Sequence, residues 1–156
     1  MQLNCRATIV LRHRRENLKK CSLRGLESRG DFKFFTYPKD TLPVLKNCVL
    51  LTLGAPELCA EDRDSDLLLI DGTWRYAEVM MRQVLKQQSH LILRSLPAKF
   101  KTAYPRRQED CVEPDKGLAS IEALYVAYTL LDRHTTSLLD NYYWRDHFLD
   151  INNYFK

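Results

Sequence analysis

Leu67-Leu68-Leu69-Ile70-Asp71-Gly72-Thr73-Trp74 is the stretch that decides how this chain folds. Four aliphatic residues without polar alternation describe a strand buried on both faces, the pattern of a parallel sheet covered by helices. The run stops at an acid and a glycine, and from there the period changes: Trp74, Ala77, Met81 and Val84/Leu85 recur at helical spacing. Asp71 is therefore expected at the carboxyl end of a strand. In open α/β sheets ligands bind at that edge, because the loops splay apart and helix N-termini aim N–H groups into the crevice. A plainer role is equally compatible with the spacing: Asp71 or Thr73 caps the helix and Trp74 is a core aromatic.

Comparable apolar runs lie at Ala7 to Leu11, Val49 to Leu53 and Leu91 to Leu93, and a further short strand is expected to end at Tyr37-Pro38. Ile121, Leu124, Tyr125, Tyr128 and Leu131 predict a second helix. Ser137 to Phe155 is expected to contain a closing helix with Leu138, Tyr142 and Phe148 on one packing face. Strands alternating with helices make the fold class α/β, with a sheet that is parallel at least in part.

The chain has 156 residues, 45% of them hydrophobic, enough for one compact unit with its own core. No internal repeat, low-complexity tract or Gly/Ser linker divides it, and the five scattered glycines argue against freely hinged domains. No apolar run approaches the roughly 20 residues that span a bilayer, and no signal-peptide pattern opens the chain, so a cytoplasmic protein with no membrane partner is expected. Cys5, Cys21, Cys48, Cys59 and Cys111 form an odd set without a CxxC pair, which fits idle thiols better than a disulfide framework or a zinc site. His13, His90, His134 and His147 show no ligand spacing, so no metal is expected. The chain also lacks G-x-G-x-x-G, a Walker A loop, HExxH and a nucleophile elbow, so dinucleotide oxidoreductases, P-loop phosphotransferases, zincins and α/β-hydrolases lose their main support.

The net charge of +4 is unevenly spread: residues 1–46 hold 11 Lys and Arg against 4 Asp and Glu, the remainder 13 against 16. Arg12, Arg14, Arg15, Lys19, Lys20 and Arg24 follow directly on a predicted strand. A second group comprises Arg94, Lys99, Lys101, Arg106 and Arg107. A solvated basic surface would account for either group alone. Together, with Tyr104 and Pro105 interleaved in the second, they suit phosphate contacts and stacking on unpaired RNA bases.

Gly117-Leu118-Ala119-Ser120-Ile121-Glu122-Ala123 is a second candidate loop, running into the helix that follows. Ser120 stands near a helix N-terminus, where a hydroxyl and backbone N–H groups can hold a small carboxylate or a nucleoside hydroxyl, or simply cap the helix. Glu122 in the first turn is favoured by the helix dipole alone.

Ile70-Asp71-Gly72-Thr73-Trp74, Arg94-Ser95-Leu96-Pro97, Tyr104-Pro105-Arg106-Arg107 and Leu118-Ala119-Ser120-Ile121-Glu122-Ala123 together resemble, in order and spacing, the DTW-domain superfamily of RNA aminocarboxypropyltransferases. The run from His13 through Lys19-Lys20-Cys21-Ser22 to Leu26 is similar to the N-terminal signature of its small-subunit rRNA branch. Trp144-Arg145-Asp146-His147-Phe148-Leu149-Asp150-Ile151-Asn152 is similar to the C-terminal one. Two features depart from that branch: residues 104–116 are longer and more acidic, and Tyr104 to Arg107 looks more like the tRNA branch. The paired N-terminal cysteines of bacterial tRNA-branch proteins are absent.

The resemblance implies a SPOUT-type α/β sheet with a C-terminal trefoil knot. A basic, RNA-binding N-terminal part (1–66) would pack against a cofactor-binding part (67–156) in a monomer. It implies S-adenosylmethionine as cofactor and RNA as partner, rRNA or a pre-ribosomal particle first and tRNA second. The reaction it implies is transfer of the 3-amino-3-carboxypropyl group to N3 of a uridine or pseudouridine. Carried over position by position, Ser22, Thr36, Pro38, Asp71, Trp74, Leu96, Leu118 and Ser120 would line the cofactor site, and Asp71 would accept or orient the imide proton. Three alternatives stay open: a SPOUT-like RNA methyltransferase, a noncatalytic RNA-binding ribosome-assembly module, and a structural protein whose Asp71 is only a cap.

Overall fold

Side chains alternate across a strand, so an aliphatic run buried on both faces feeds two cores at once. The sheet has five strands, β1 (Thr8–His13), β2 (Phe32–Tyr37), β3 (Cys48–Leu51), β4 (Asp66–Asp71) and β5 (Leu91–Arg94), of which β1, β3 and β4 do so. Val10, Val49, Leu51, Leu67 and Leu69 point to one core, and Ile9, Leu11, Cys48, Leu50 and Leu68 to the other. The first core is closed by helices α2 (Ser120–Leu130) and α3 (Arg145–Ile151) through Ile121, Leu124, Tyr128 and Phe148. The second is closed by α1 (Trp74–Gln87) through Met80 and Val84. The structure, a computed structural model, describes residues 6–18, 21–105 and 117–153.

Every strand pairing is parallel, in the order β2-β1-β4-β3-β5. After β1 the chain moves to β2 on one side. After β4 it passes over β3 to β5 on the other. The connections leaving the carboxyl ends of β1 and β4 thus diverge, which makes the end of this strand pair the switch point, the place at which α/β sheets bind ligands. The approximate division at residues 66/67 falls within this single sheet, since β4 lies between β1 and β3.

Most predicted elements form within a residue or two of their expected bounds, with two corrections. Leu53 lies beyond the end of β3 and is 74% exposed, in a turn that Gly54 completes at φ 78. The closing helix is shorter than expected. Leu138, Tyr142 and Phe148 are all buried in the α2-side core, but among the described residues of this stretch only Arg145–Ile151 form an α-helix. Ser137 has φ 65, and the following turns close by Tyr142 N–H to the Leu139 carbonyl and Arg145 N–H to the Tyr142 carbonyl, three residues apart, so Leu138 and Tyr142 reach the core from turns and Phe148 from the helix. The resemblance implies a C-terminal knot with Leu96, Leu118 and Ser120 in its loops, and residues 106–116, between these positions, lie outside the described residues. No helix among the described residues is long and apolar enough to cross a membrane.

Candidate active site

Thr36, Arg12 and Asp71 are register neighbours across β2, β1 and β4, forming a row at the carboxyl edge of the sheet. Alternation with Val10 and Leu69 turns Arg12 and Asp71 toward the α2 side. There the Arg12 guanidinium donates from Nε to Asp71 Oδ2 at 3.3 Å, and from its terminal nitrogens to Glu27 Oε1 at 3.2 Å and Cys21 Sγ at 3.6 Å. It also lies over the Phe34 ring, 4.7 Å from the centroid.

The other segments arrive at the same carboxylate. The Cys21 thiol donates to Asp71 Oδ2 at 3.4 Å, and Ser120 Oγ, from the first turn of α2, donates to Asp71 Oδ1 at 2.8 Å. Ser22 Oγ accepts the Ile121 N–H at 3.2 Å, which ties the segment after β1 directly to the N-terminus of α2. The strand end, the 21–22 segment and the helix start, distant in sequence, are thereby gathered at one point. Both oxygens of Asp71 accept hydrogen bonds, an arrangement suited to holding its neighbours in place.

Burial works to lower the Arg12 pKa, but Cys21, Asp71 and Glu27 outweigh it and hold the guanidinium above its ordinary value. Burial first, and Asp71 second, push the Cys21 thiol up to about 12. Cys21 is accordingly a protonated donor at neutral pH and not a nucleophile. The half-buried Glu16 is likewise raised, by burial and then by Asp71. Glu16, Cys21 and Asp71 offer ligand atoms within 4.8 Å of one another, a grouping the sequence spacing did not disclose. Arg12 already supplies a positive charge to two of them.

The expected cofactor-site residues divide into three groups. Ser22, Asp71 and Ser120 are brought together by the contacts above, and Thr36 stands in register beside Arg12. Leu96 and Leu118 are half-buried against the α2-side core. Trp74 is half-buried at the start of α1, with the Arg75 guanidinium 5.5 Å from its ring centroid, and belongs to neither core cluster. Pro38 is not with them: after a cis Tyr37-Pro38 peptide it lines a hollow of about 110 Å³ on the α1 side, with Leu11, Leu42, Gln83 and Val84.

Among the expected RNA-binding cations, Arg12 requires a correction. Grouped with its neighbours by charge, it is 8% exposed and its guanidinium is engaged by Asp71 and Glu27, because it sits on the inward face of β1 rather than in the loop beyond. Arg14, Arg15, Arg24, Lys99 and Lys101 are exposed. Lys19, Lys20, Arg106 and Arg107 lie outside the described residues, as do Cys5 and Cys111. His13, one residue beyond Arg12, faces the α1 side, where its ring stacks on Tyr76 at 3.9 Å between centroids and its Nδ1 accepts the Arg15 N–H at 3.1 Å.

Glu122 is the residue whose importance the sequence reading missed. Far from a mere dipole partner, it is fully buried and accepts hydrogen bonds from Thr102 Oγ1 (2.6 Å), Ala119 N–H (2.7 Å), Ala103 N–H (2.8 Å) and Tyr142 Oη (3.0 Å). The signal was the composition of α2, which is apolar nearly all round and leaves an acid in its first turn no solvent face to occupy.

No protein-family profile matches the sequence, and no curated protein matches it. Among solved structures the chain is similar to the SAM-dependent rRNA:acp-transferase Tsr3 from Vulcanisaeta distributa. The TM-score is 0.68 at 22% identity, over 96% of this chain and 79% of that one. At that identity the likeness is one of fold.

Proposed function

We propose that this chain is an RNA-modifying enzyme that transfers the 3-amino-3-carboxypropyl group of S-adenosylmethionine to N3 of a uridine or pseudouridine, in rRNA first and tRNA second. The observation that carries the reading is the convergence of Arg12, Cys21 and Ser120 on Asp71 at the switch point between β1 and β4. The fold shared with a solved structure described as a SAM-dependent rRNA acp-transferase supports it, as does the motif resemblance. The reading includes the SPOUT-type knotted path and a monomeric protein.

The residues present fit the cofactor by their chemistry. Asp71 and Glu27 set two carboxylates against the one guanidinium of Arg12, which suits a cationic ligand, and the half-buried Leu96, Leu118 and Trp74 offer apolar surface to a flat base. Ser22, Thr36, Asp71, Trp74, Leu96, Leu118 and Ser120 would hold it, whereas Pro38 lines the separate hollow on the α1 side. When bound, S-adenosylmethionine would supply an activated Cγ for attachment to N3, with methylthioadenosine as the leaving group and the imide proton passing to Asp71 or to solvent.

The work left to the protein is alignment of the nucleotide with that carbon. Asp71 is assigned to the reacting end, where it orients the base or accepts the imide proton, with Ser120 and Arg12 fixing its carboxylate. Arg14, Arg15, Arg24, Lys99 and Lys101 are assigned to the RNA backbone.

The deciding experiment incubates the purified protein with RNA from cells lacking it, in parallel with S-adenosylmethionine labelled at the carboxyl carbon or at the methyl group. Carboxyl label in RNA is the expected result. Methyl label alone identifies a methyltransferase, and label in neither arm favours a noncatalytic RNA-binding module.

A further inference from the structure

We infer that Glu122 is a positioning residue that locks together the two loops framing the cofactor site, an inference that rests on the functional reading above. One loop, residues 95–104, leaves the carboxyl end of β5. The other, residues 117–119, leads into α2 and delivers Ser120 to Asp71. Glu122 holds both. Its Oε1 accepts from Thr102 on the first loop and from Ala119 on the second, while Oε2 accepts from Ala103 on the first and from Tyr142, which belongs to the turns before α3.

The chemistry of these bonds requires a carboxylate. Two of the donors are backbone N–H groups on different loops, each aimed at a different oxygen of the same side chain. A carboxylate accepts at both oxygens, whereas an amide presents one oxygen and one donor, and would set its NH₂ against one of the N–H groups. Burying a full charge is unfavourable unless its hydrogen bonds are satisfied, and here they are.

A second clamp completes the first loop. Asn152, fully buried at the end of α3, accepts the Lys101 N–H at 2.8 Å and donates to the Lys101 carbonyl at 2.8 Å, while Thr102 Oγ1 accepts the Tyr104 N–H at 3.0 Å. Residues 101–104 are thus fixed against α2 and α3, and through Glu122 their position is coupled to that of Ala119. Since Ala119 adjoins Ser120, the lock sets where the Ser120 hydroxyl meets Asp71. Small misplacements of a site wall have large effects on ligand alignment.

The test compares the full-length wild-type protein with Glu122→Gln, Thr102→Val and Tyr142→Phe. S-adenosylmethionine binding is measured by titration calorimetry, and amide exchange at Ala103 and Ala119 by NMR. Glu122→Gln and Thr102→Val are expected to weaken binding by about tenfold or more, and Glu122→Gln to speed exchange at both amides. Tyr142→Phe, which removes a donor from the same carboxylate but leaves its bonds to both loops, is expected to bind like wild type. Normal binding by folded Glu122→Gln overturns the inference, as does Tyr142→Phe weakening binding as much as Thr102→Val, since the effect would then be one of general stability. If Glu122→Gln does not fold, Thr102→Val decides alone: normal binding overturns the lock, and weakened binding with Tyr142→Phe unaffected supports it. Wild-type protein that binds no S-adenosylmethionine overturns the functional reading itself.

Discussion

Arg12 and Asp71 are register partners on β1 and β4, and their side chains meet on the α2 side with Arg12 Nε 3.3 Å from Asp71 Oδ2. Each side chain is almost wholly withdrawn from solvent, at 10% and 6% exposure. Removing Arg12 leaves Asp71 buried without a counterion, and removing Asp71 leaves the buried Arg12 with Glu27 alone. Asp71→Asn is expected to destabilise the fold by about 3 kcal/mol, the range for breaking a buried pair. Arg12→Met combined with Asp71→Asn should cost clearly less than the sum of the two single changes. Urea unfolding of the four proteins measures this coupling, and additive losses would show that the two groups do not depend on one another.

Ser120→Ala removes the hydroxyl that donates to Asp71 Oδ1 at 2.8 Å. Stability should fall by only about 1 kcal/mol, the usual worth of one hydrogen bond. Transfer of carboxyl label to RNA should fall much further, because the carboxylate is no longer aimed. Asp71→Ala should likewise lose far more activity than Trp74→Phe, which keeps an aromatic surface at the start of α1. Equal losses in activity and in cofactor affinity for Asp71→Ala and Trp74→Phe would remove the proton-accepting role.

Arg14 and Arg15 are exposed immediately beyond β1, next to the residues that gather at Asp71. If each meets one phosphate, Arg14→Ala and Arg15→Ala should each reduce the slope of log affinity against log salt by about 1. Filter binding or anisotropy with a labelled RNA over a range of salt gives the slope. A slope unchanged in both variants would take these two cations out of the interface.

His13 is held below its ordinary pKa by burial first and then by Arg14 and Arg15. A histidine whose folded pKa is depressed is protonated first in the unfolded chain. Its contribution is complete above the unfolded value of about 6.5 and is lost as pH falls from there to the lower folded value. Nδ1 also accepts the Arg15 N–H, a bond it must give up when it takes a proton. Urea midpoints between pH 7.5 and pH 5 should fall for the wild type and fall less for His13→Asn, which keeps an acceptor but does not titrate. Parallel curves would place the titration elsewhere.

Leu124 is fully buried between α2 and the sheet, whereas Leu93 on β5 is 36% exposed. Leu124→Ala should cost about 2–5 kcal/mol through lost burial and the cavity left behind, and Leu93→Ala within about 0.5 kcal/mol. Thermal unfolding of the two variants side by side separates core from edge.

By itself the sequence determined the two-sided strands, the helices beginning at Trp74 and at Ser120, and the placement of Asp71 at a strand's carboxyl end. Hydrophobic period is a local property, and the cost of exposing an aliphatic run or a helix face is incurred residue by residue wherever the chain goes. The shortened α3 escaped that reading because turns can bury Leu138 and Tyr142 as well as a helix can. Tertiary structure alone decided the strand order, the identity of Arg12 as a buried partner instead of a surface cation, and the role of Glu122. Those outcomes depend on contacts between residues 59 apart for Arg12 and Asp71, 99 apart for Ser22 and Ile121, and 20 apart for Glu122 and Thr102. A charged side chain carries the same local signature whether it ends in water or against a counterion, and only the folded chain, by bringing distant segments to one edge of the sheet, chooses between them.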